Sequence, residues 1–366
     1  MKKIKVLSIF GTRPEAIKMA PVIKALEKDP RFLSKVLVTG QHREMLDQTM
    51  AAFQLVSDHN LAIMRENQTL SSMTSRILEK LEAVFQEERP DLVLVHGDTT
   101  TALAAALAAF YQQILIGHVE AGLRTGDKQD PFPEEMNRRL IDQLSDFLFA
   151  PTEQSQENLW KENHPKERIL VTGNTSIDAL YQTLEERKTS LLKHEEKNIL
   201  LVTMHRRENI GSPMENVFRA LKRIAVEYPE LNVVFPVHKN PKVREIAQQY
   251  LEEQTNIQLI EPLDTPEFYQ LLSKSYLILT DSGGIQEEAP SLGVPVLIAR
   301  ETTERPEGVS AGTLKLVGTE EEQVYAKITH LLTDQQAYQE MAQAKNPYGD
   351  GQASSRIIEQ LKSYFN

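Results

Sequence analysis

Residues 92–139 read LVLVHGDTTTALAAALAAFYQQILIGHVEAGLRTGDKQDPFPEEMNRR, and their pattern decides the fold. The run Leu92–Val95 is continuously apolar, as in a parallel strand covered on both faces. The chain then turns at HGDTT, which sets Asp98 just past the C-terminal end of that strand. TALAAALAAFY is a strong helix former, Ile114–Val119 predicts the next strand, and Glu120 leaves it as Asp98 leaves the first. Two acids therefore project from one sheet edge, the edge at which open α/β sheets bind their ligands. PFPEEMNRRLIDQL opens a helix at a proline and sets Glu134 and Arg138 one turn apart on one face. A plainer reading makes Asp98 and Glu120 helix caps or turn acids, and Glu134 with Arg138 a surface ion pair. Three acids converging from one edge favour chemistry.

Upstream, KVLSIF predicts a first strand, and GTRPEAIKMAPVIKAL leaves it through Gly11 into a helix with Pro14 in its first turn. No GxGxxG follows this strand or occurs anywhere in the chain, so the dinucleotide fingerprint is missing. Arg13 and Lys18 flank the start of this helix, whose exposed N–H groups and dipole favour anions; solvent-facing charges are the plainer alternative. KVLVTG is a second strand, QHREMLDQTMAAF a helix, and LSSMTSRILEKLEAVFQEERP an amphipathic helix closed by Pro90.

Downstream, strands and helices alternate through LFAPTEQSQENL and RILVTGNTSIDAL. From Tyr181 to Lys197 the chain becomes charged, with no strand character, and reads as a connection between domains. ILLVTMHRRENIG, LNVVFPVHKNP, NIQLIEPLD, YLILTDSGGIQEEAPSLG and PVLIARE then form a second set of βα units. Two such sets predict two doubly wound, Rossmann-like parallel-sheet domains facing a central cleft. Residues 1–178, with a C-terminal helix over 352–366, are assigned to the first and 179–351 to the second.

Composition limits the function. With 366 residues and 40% hydrophobic content, the chain is long enough for two well-filled cores. Its N-terminal apolar run is too short for a signal peptide, and ALAAALAAFY is half of the roughly 20 residues a membrane span requires, so a cytoplasmic protein is expected. The absence of cysteine excludes disulfides, thiolate metal sites and cysteine nucleophiles. A net charge of −11 argues against nucleic acid as partner, so an anionic ligand must be held by local cations.

In the second half, Ser282-Gly283-Gly284 follows a buried strand and opens backbone N–H groups onto the next helix, a turn suited to a pyrophosphate. Glu288, a turn further along, can accept hydrogen bonds from two ribose hydroxyls; glycine's use in any tight turn is the plainer account of the pair. TMHRREN sets His205, Arg206 and Arg207 after a strand, and PVHKNP repeats the pattern with His238 and Lys239. RETTERPEG reads as a loop bordering the cleft. Anion-binding turns and several acids without a dinucleotide fingerprint argue against hydride transfer. They suit elimination and re-addition of a phosphate leaving group, or glycosyl transfer, and general principles leave both open.

Taken together, GTRPEAIK, TGQHREM, HGDTTT, HVEAGLRTGD, PFPEEMNRR, MHRREN, PVHKNP, DSGGIQEEAPSLG and TTERPEG resemble the bacterial non-hydrolysing UDP-N-acetylglucosamine 2-epimerases, over about residues 8–312. The resemblance implies a fold of the glycosyltransferase B type, a homodimer and a reaction without NAD or metal. In it UDP is eliminated to leave a 2-acetamidoglucal and adds back after the C2 proton returns on the other face, giving UDP-ManNAc for cell-surface polysaccharide. By resemblance, Asp98, Glu120 and Glu134 are the acid/base carboxylates around C2, with the face served by each left open, and Arg138 supports them. His205 is similar to the residue that assists departure and return of UDP, and Arg13 and Lys18 to the phosphate-side cations. Ser282, Gly283 and Gly284 look like the diphosphate turn, Glu288 the ribose ligand and Arg305 a further cleft residue. Gln41, Arg206 and His238 lie in motifs similar to those lining a second UDP-GlcNAc site, where the nucleotide sugar activates. Val294 stands where many relatives carry lysine. Hydrolysing 2-epimerases, retaining glycosyltransferases and a UDP-sugar sensor remain the alternatives.

Overall fold

The strands that read as unbroken apolar runs are those buried on both faces. In β1 (Ile4–Phe10) and β4 (Leu92–His96), Val6, Phe10, Leu92 and Leu94 pack on one side of the sheet and Leu7, Ile9, Val93 and Val95 on the other. Side chains alternate across a strand, so two apolar faces, interrupted inside β1 only by the buried Ser8 beyond its first two residues, leave no polar alternation to mark the period. The computed structural model describes residues 2–40, 43–65, 68–188 and 198–366.

The chain divides into two units, Met1–Gln182 with Tyr348–Asn366, and Thr183–Pro347. The first holds a seven-stranded parallel sheet that adds β2 (Phe32–Val38), β3 (His59–Asn60), β5 (Leu115–Val119), β6 (Phe147–Ala150) and β7 (Ile169–Val171), in the order β3-β2-β1-β4-β5-β6-β7. The second holds six parallel strands: β8 (Ile199–Thr203), β9 (Asn232–Pro236), β10 (Ile257–Ile260), β11 (Ser275–Thr280), β12 (Val296–Ile298) and β13 (Leu314–Leu316). Their order is β10-β9-β8-β11-β12-β13. Both units are thus Rossmann-like, and each has its topological switch point where its first strand meets its fourth: β1 beside β4, and β8 beside β11.

The structure moves three details of the sequence reading. β3 and β13 were not anticipated, because two or three residues are too few for any periodicity to register. The expected domain boundary at 178 falls inside the helix Thr175–Glu186, and the division lies further along that helix, at 182/183. Contacts, rather than composition, set it. The chain returns to the first unit at Tyr348 instead of 352, because Asn174 N donates to Tyr348 O at 2.7 Å before the last helix begins. Residues 189–197 of the expected connection lie outside the described residues.

The last helix, Ala353–Phe365, packs on the helix Arg13–Lys28 through Ile357, Ile358 and Leu361. Its first N–H groups are capped from another helix: Asp178 accepts from Ala353 N at 3.1 Å and Ser354 N at 2.8 Å. No helix among the described residues is long and apolar enough to cross a membrane.

Candidate functional site

In the first unit the functional side chains leave the C-terminal ends of β4 and β5, which are paired with His96 opposite Val119. Gly97 follows β4 at φ 63°, a left-handed conformation that glycine adopts freely, and its N–H donates to Val119 O at 3.0 Å. Asp98 comes next. Glu120 follows β5 at φ 71°, rare for a residue with a side chain and strained there. Its N–H and that of Ala121 both donate to Phe149 O at 3.1 Å, which fixes the turn.

Each acid has its own cation. Arg138, on the helix Glu134–Leu144, donates from Nε and Nη2 to Asp98 Oδ2 at 3.1 and 2.6 Å. Lys18 Nζ donates to Glu120 Oε2, which also accepts from Asn174 Nδ2 at 3.0 Å. Asp98 and Glu120 side chains are 24% and 11% exposed, so both carboxylates are sheltered yet open to a ligand. Asn137 Nδ2 donates to Asp98 O at 2.8 Å and holds that turn from the same helix.

The expected pairing of Glu134 with Arg138 is not formed. Arg138 Nη1 donates instead to Glu135 Oε2 at 3.2 Å, and the fully buried Glu135 also accepts from Thr125 N and Gly126 N at 3.1 and 3.3 Å. Residues three apart on a helix are neighbours as much as residues four apart, and burial chose between them. Glu134 is half-buried, and its side chain has no hydrogen bond or ion pair among the described residues.

Behind the strand ends lies a dry network. His118 Nδ1 meets Asp142 Oδ1 at 2.6 Å and its Nε2 meets Gly97 O at 2.7 Å; Arg124 Nη2 donates to Asp142 Oδ2 at 2.7 Å. Burial opposes the charge on Asp142, but His118 and Arg124 outweigh it and hold the carboxyl below its usual range. The network braces Gly97, the residue before Asp98.

The start of the helix Arg13–Lys28 differs from the sequence reading. The two backbone N–H groups leading into it are occupied by the chain's own carboxylate: Glu15 accepts from Gly11 N at 3.0 Å and from the N-cap Thr12 N at 2.8 Å. Thr99 Oγ1 donates to the same carboxylate at 2.7 Å, tying this turn to the one bearing Asp98. Burial pushes the Glu15 carboxyl above its usual range despite these donors. Arg13 is the first residue of the helix and half-buried, while Lys18 points to Glu120.

In the second unit the cluster sits at the switch point of β8 and β11. Asp281, fully buried after β11, accepts from His205 N at 3.0 Å, Arg206 N at 2.9 Å and Asn209 Nδ2 at 3.1 Å. Burial opposes its ionisation, but the His205 bond and the backbone donors outweigh it and hold it below the usual carboxylate range. The His205 Nδ1 lies 3.2 Å from Asp281 Oδ1 and the ring is 41% exposed, so Asp281 orients a histidine whose Nε2 edge faces outward. The His238 ring stacks on it at 5.5 Å between centroids, and His238 Nδ1 accepts from Asn240 N at 3.1 Å. Arg206 is pinned by Asp281 O at 3.0 Å and Glu304 at 3.3 Å.

Ser282, Gly283 and Gly284 follow directly. A Cβ on Gly283 would meet the Arg305 guanidinium at 3.6 Å, and one on Gly284 would meet nothing within 4 Å. Arg305 Nε donates to the buried Glu287 at 2.6 Å, which lays its guanidinium along the turn. Glu288 Oε1 accepts from the buried Tyr269 hydroxyl at 3.0 Å, which orients the carboxylate. The turn thus combines backbone N–H groups, a cation and room, the ingredients of anion binding.

The structure therefore brings Asp98, Glu120, Arg138 and Lys18 together in the first unit. It brings His205, Arg206, His238, Arg305 and the Ser-Gly-Gly turn together in the second. Gln41 lies outside the described residues. Sequence reading missed Glu135, Asn174 and Asp281. Asp281 stands immediately before the Ser-Gly-Gly turn and was within reach; Asn174 gave no sign of meeting a residue 54 positions away. Among the described residues no group of three or more His, Asp and Glu is arranged to hold a metal ion.

A family model described as UDP-N-acetylglucosamine 2-epimerase matches residues 24–362. The chain is 54% identical over 367 residues to a UDP-N-acetylglucosamine 2-epimerase of Bacillus subtilis (strain 168), covering 100% of this chain and 97% of that protein. It is 53% identical over 371 residues to that of Escherichia coli (strain K12), covering 98% of this chain and 99% of that protein. Among solved structures, UDP-GlcNAc 2-epimerase from Neisseria meningitidis bound to UDP-GlcNAc is similar at a TM-score of 0.88 and 50% identity, covering 98% of this chain and 100% of that one.

Proposed function

The chain belongs to the UDP-N-acetylglucosamine 2-epimerase family, and we propose that it interconverts UDP-GlcNAc and UDP-ManNAc by the non-hydrolysing route. The observation that carries the reading is the pair of sheltered carboxylates, Asp98 and Glu120, at the ends of adjacent strands, each held by its own cation. A carboxylate in that setting removes the proton at C2. The C–H electron pair forms the C1–C2 double bond as the C1–O bond breaks, and its electrons leave on the oxygen of UDP. The 2-acetamidoglucal then takes a proton at C2 on the opposite face while UDP adds back at C1. Glu134, with no described partner, is the third acid available at this edge.

His205, oriented by Asp281, acts at departure and return of UDP; the Ser282–Gly284 turn with Arg305 holds the diphosphate and Glu288 the ribose. Arg13 and Lys18 remain phosphate-side cations in this reading, although Lys18 rests on Glu120 in the structure. Acid/base chemistry at C2 moves no hydride and needs no Lewis acid, so neither NAD nor a metal is required. Gln41, Arg206 and His238 lie in motifs similar to those lining a second UDP-GlcNAc site in relatives, and activation by the nucleotide sugar belongs to this reading. The enzyme works as a cytoplasmic homodimer and supplies ManNAc for cell-surface polysaccharide.

Proton NMR of the enzyme with UDP-GlcNAc in D₂O, with EDTA and without NAD, tests the reaction. UDP-ManNAc carrying deuterium at C2 in both sugars is expected. Free ManNAc with UDP would establish the hydrolysing reaction instead, and an unchanged spectrum would refute the proposal. Glu120→Gln, which keeps shape and removes proton transfer, should lower kcat by on the order of 100-fold or more while sparing UDP-GlcNAc affinity.

A further inference from the structure

Two histidines end up side by side near the carboxylates, His96 closing β4 and His118 on β5, and their surroundings are opposite. Both ring nitrogens of His118 are bound, by Asp142 and by Gly97 O. His96 is 4% exposed, and neither of its ring nitrogens has a hydrogen-bond partner among the described residues. Buried polar atoms in native proteins are nearly always paired, so an imidazole left this way asks for a function. Its Nε2 lies 3.7 Å from Glu120 Oε2, about 0.8 Å beyond a hydrogen bond and within reach of a small rotation of the glutamate.

The other described partners of that oxygen explain why an imidazole stands there. Lys18 is a donor only. Asn174 also presents a donor, because its Oδ1 accepts from Ser176 N at 3.0 Å and its amide is thereby oriented with Nδ2 toward Glu120. Both serve the ionised carboxylate. Once Glu120 carries a proton its O–H becomes a donor and needs an acceptor, and a neutral imidazole supplies one. The groups facing His96 are His118 from β5, Glu120 just after it, and Lys18 from the first helix. Burial first, then Lys18 and His118, hold the ring down at about 3 against the pull of Glu120, so it stays neutral.

We propose that His96 is a positioning residue for Glu120, its neutral ring accepting a hydrogen bond from the carboxyl group whenever Glu120 holds the proton taken from C2. The inference rests on the reading of Glu120 as a C2 acid/base. The proton leaves carbon for a Glu120 oxygen, stays there while its hydrogen bond runs to His96, and returns to carbon in the reverse step; the ring neither gains nor loses a proton. With no hydrogen-bond partner among the described residues, His96 can present its acceptor nitrogen, which His118, bound at both nitrogens, cannot.

The test compares wild type, His96→Phe, His96→Asn and His96→Gln in the full-length protein. Deuterium exchange at C2 of UDP-GlcNAc and UDP-ManNAc in D₂O is followed across pH, and kcat and KM are measured separately. Phe has no acceptor, and Asn falls short of the Glu120 carboxyl by about one bond length. Both should lower kcat by on the order of tenfold with KM within about twofold. Both should also move the acid limb of the kcat profile to lower pH by about one unit, because protonated Glu120 has lost its partner. Gln places an amide oxygen near Nε2 and should return both the rate and the limb toward wild type. Loss variants with the wild-type limb, or a Gln variant as slow as Asn, would overturn the inference. Should the Phe variant not fold, Asn against Gln decides the question alone. A wild type that exchanges no deuterium would instead refute the proposed reaction, and this inference would fall with it.

Discussion

Arg138→Ala should destabilise the first domain by about 3–5 kcal/mol, and the structure says where the loss arises. Among the described residues the guanidinium makes three bonds, two to Asp98 Oδ2 at 3.1 and 2.6 Å and one to Glu135 Oε2 at 3.2 Å. Hydrogen bonds to charged groups contribute about 1.5–3 kcal/mol each, but the two carboxylates differ in what replaces them. Asp98's side chain is 24% exposed, so water takes over much of the lost interaction. Glu135's is 0% exposed and would keep, among the described residues, the two backbone donors at 3.1 and 3.3 Å. The loss is therefore mainly the cost of a dry, uncompensated charge. Glu135→Gln in the same chain removes that charge, so the double variant Arg138→Ala/Glu135→Gln should recover about 2 kcal/mol or more of it. Urea unfolding followed by circular dichroism provides the measurement, with transition midpoints compared because a chain of two domains has no single unfolding free energy. Turnover should stay low in both variants, since Asp98 loses its cation in each. A double variant no more stable than Arg138→Ala alone would refute the reasoning.

Two more outcomes are expected. His96 titrates at its ordinary 6.5 in the unfolded chain but only near about 3 when folded, so the unfolded state binds the extra proton and stability falls as pH drops from 6.5 toward 3. The slope is about 1.4 kcal/mol per pH unit, or about 2 kcal/mol by about pH 5, and the non-titrating His96→Gln should lack it; parallel stability curves for the two proteins between about pH 7 and 5 would contradict the burial argument. Gly284→Ala should fold as well as wild type, since a Cβ there meets nothing within 4 Å and the residue has no left-handed φ, yet should weaken UDP binding by about tenfold as measured by calorimetry. An unchanged affinity would mean that no phosphate approaches that backbone.

The sequence by itself determined the two sets of βα units, because runs such as LVLV and LILT are apolar on both faces and only a parallel sheet covered by helices buries both. It also determined which edge carries the acids, since Asp98 and Glu120 each stand just past a strand end along the chain. The Ser-Gly-Gly turn and the histidine after β8 were legible for the same reason. What only the tertiary structure decided is which charges meet. Arg138 reaches Asp98 across 40 residues and Lys18 reaches Glu120 across 102, distances over which no local spacing rule operates. The choice of Glu135 over Glu134 as a partner of Arg138 followed from burial, which the helical period alone does not assign. The histidines of HGDTT and GHVEAG look alike in the sequence. One became a locked brace and the other a ring without a hydrogen bond among the described residues, because strand register put Gly97 O and Asp142 within reach of His118 and set Glu120 at 3.7 Å from His96.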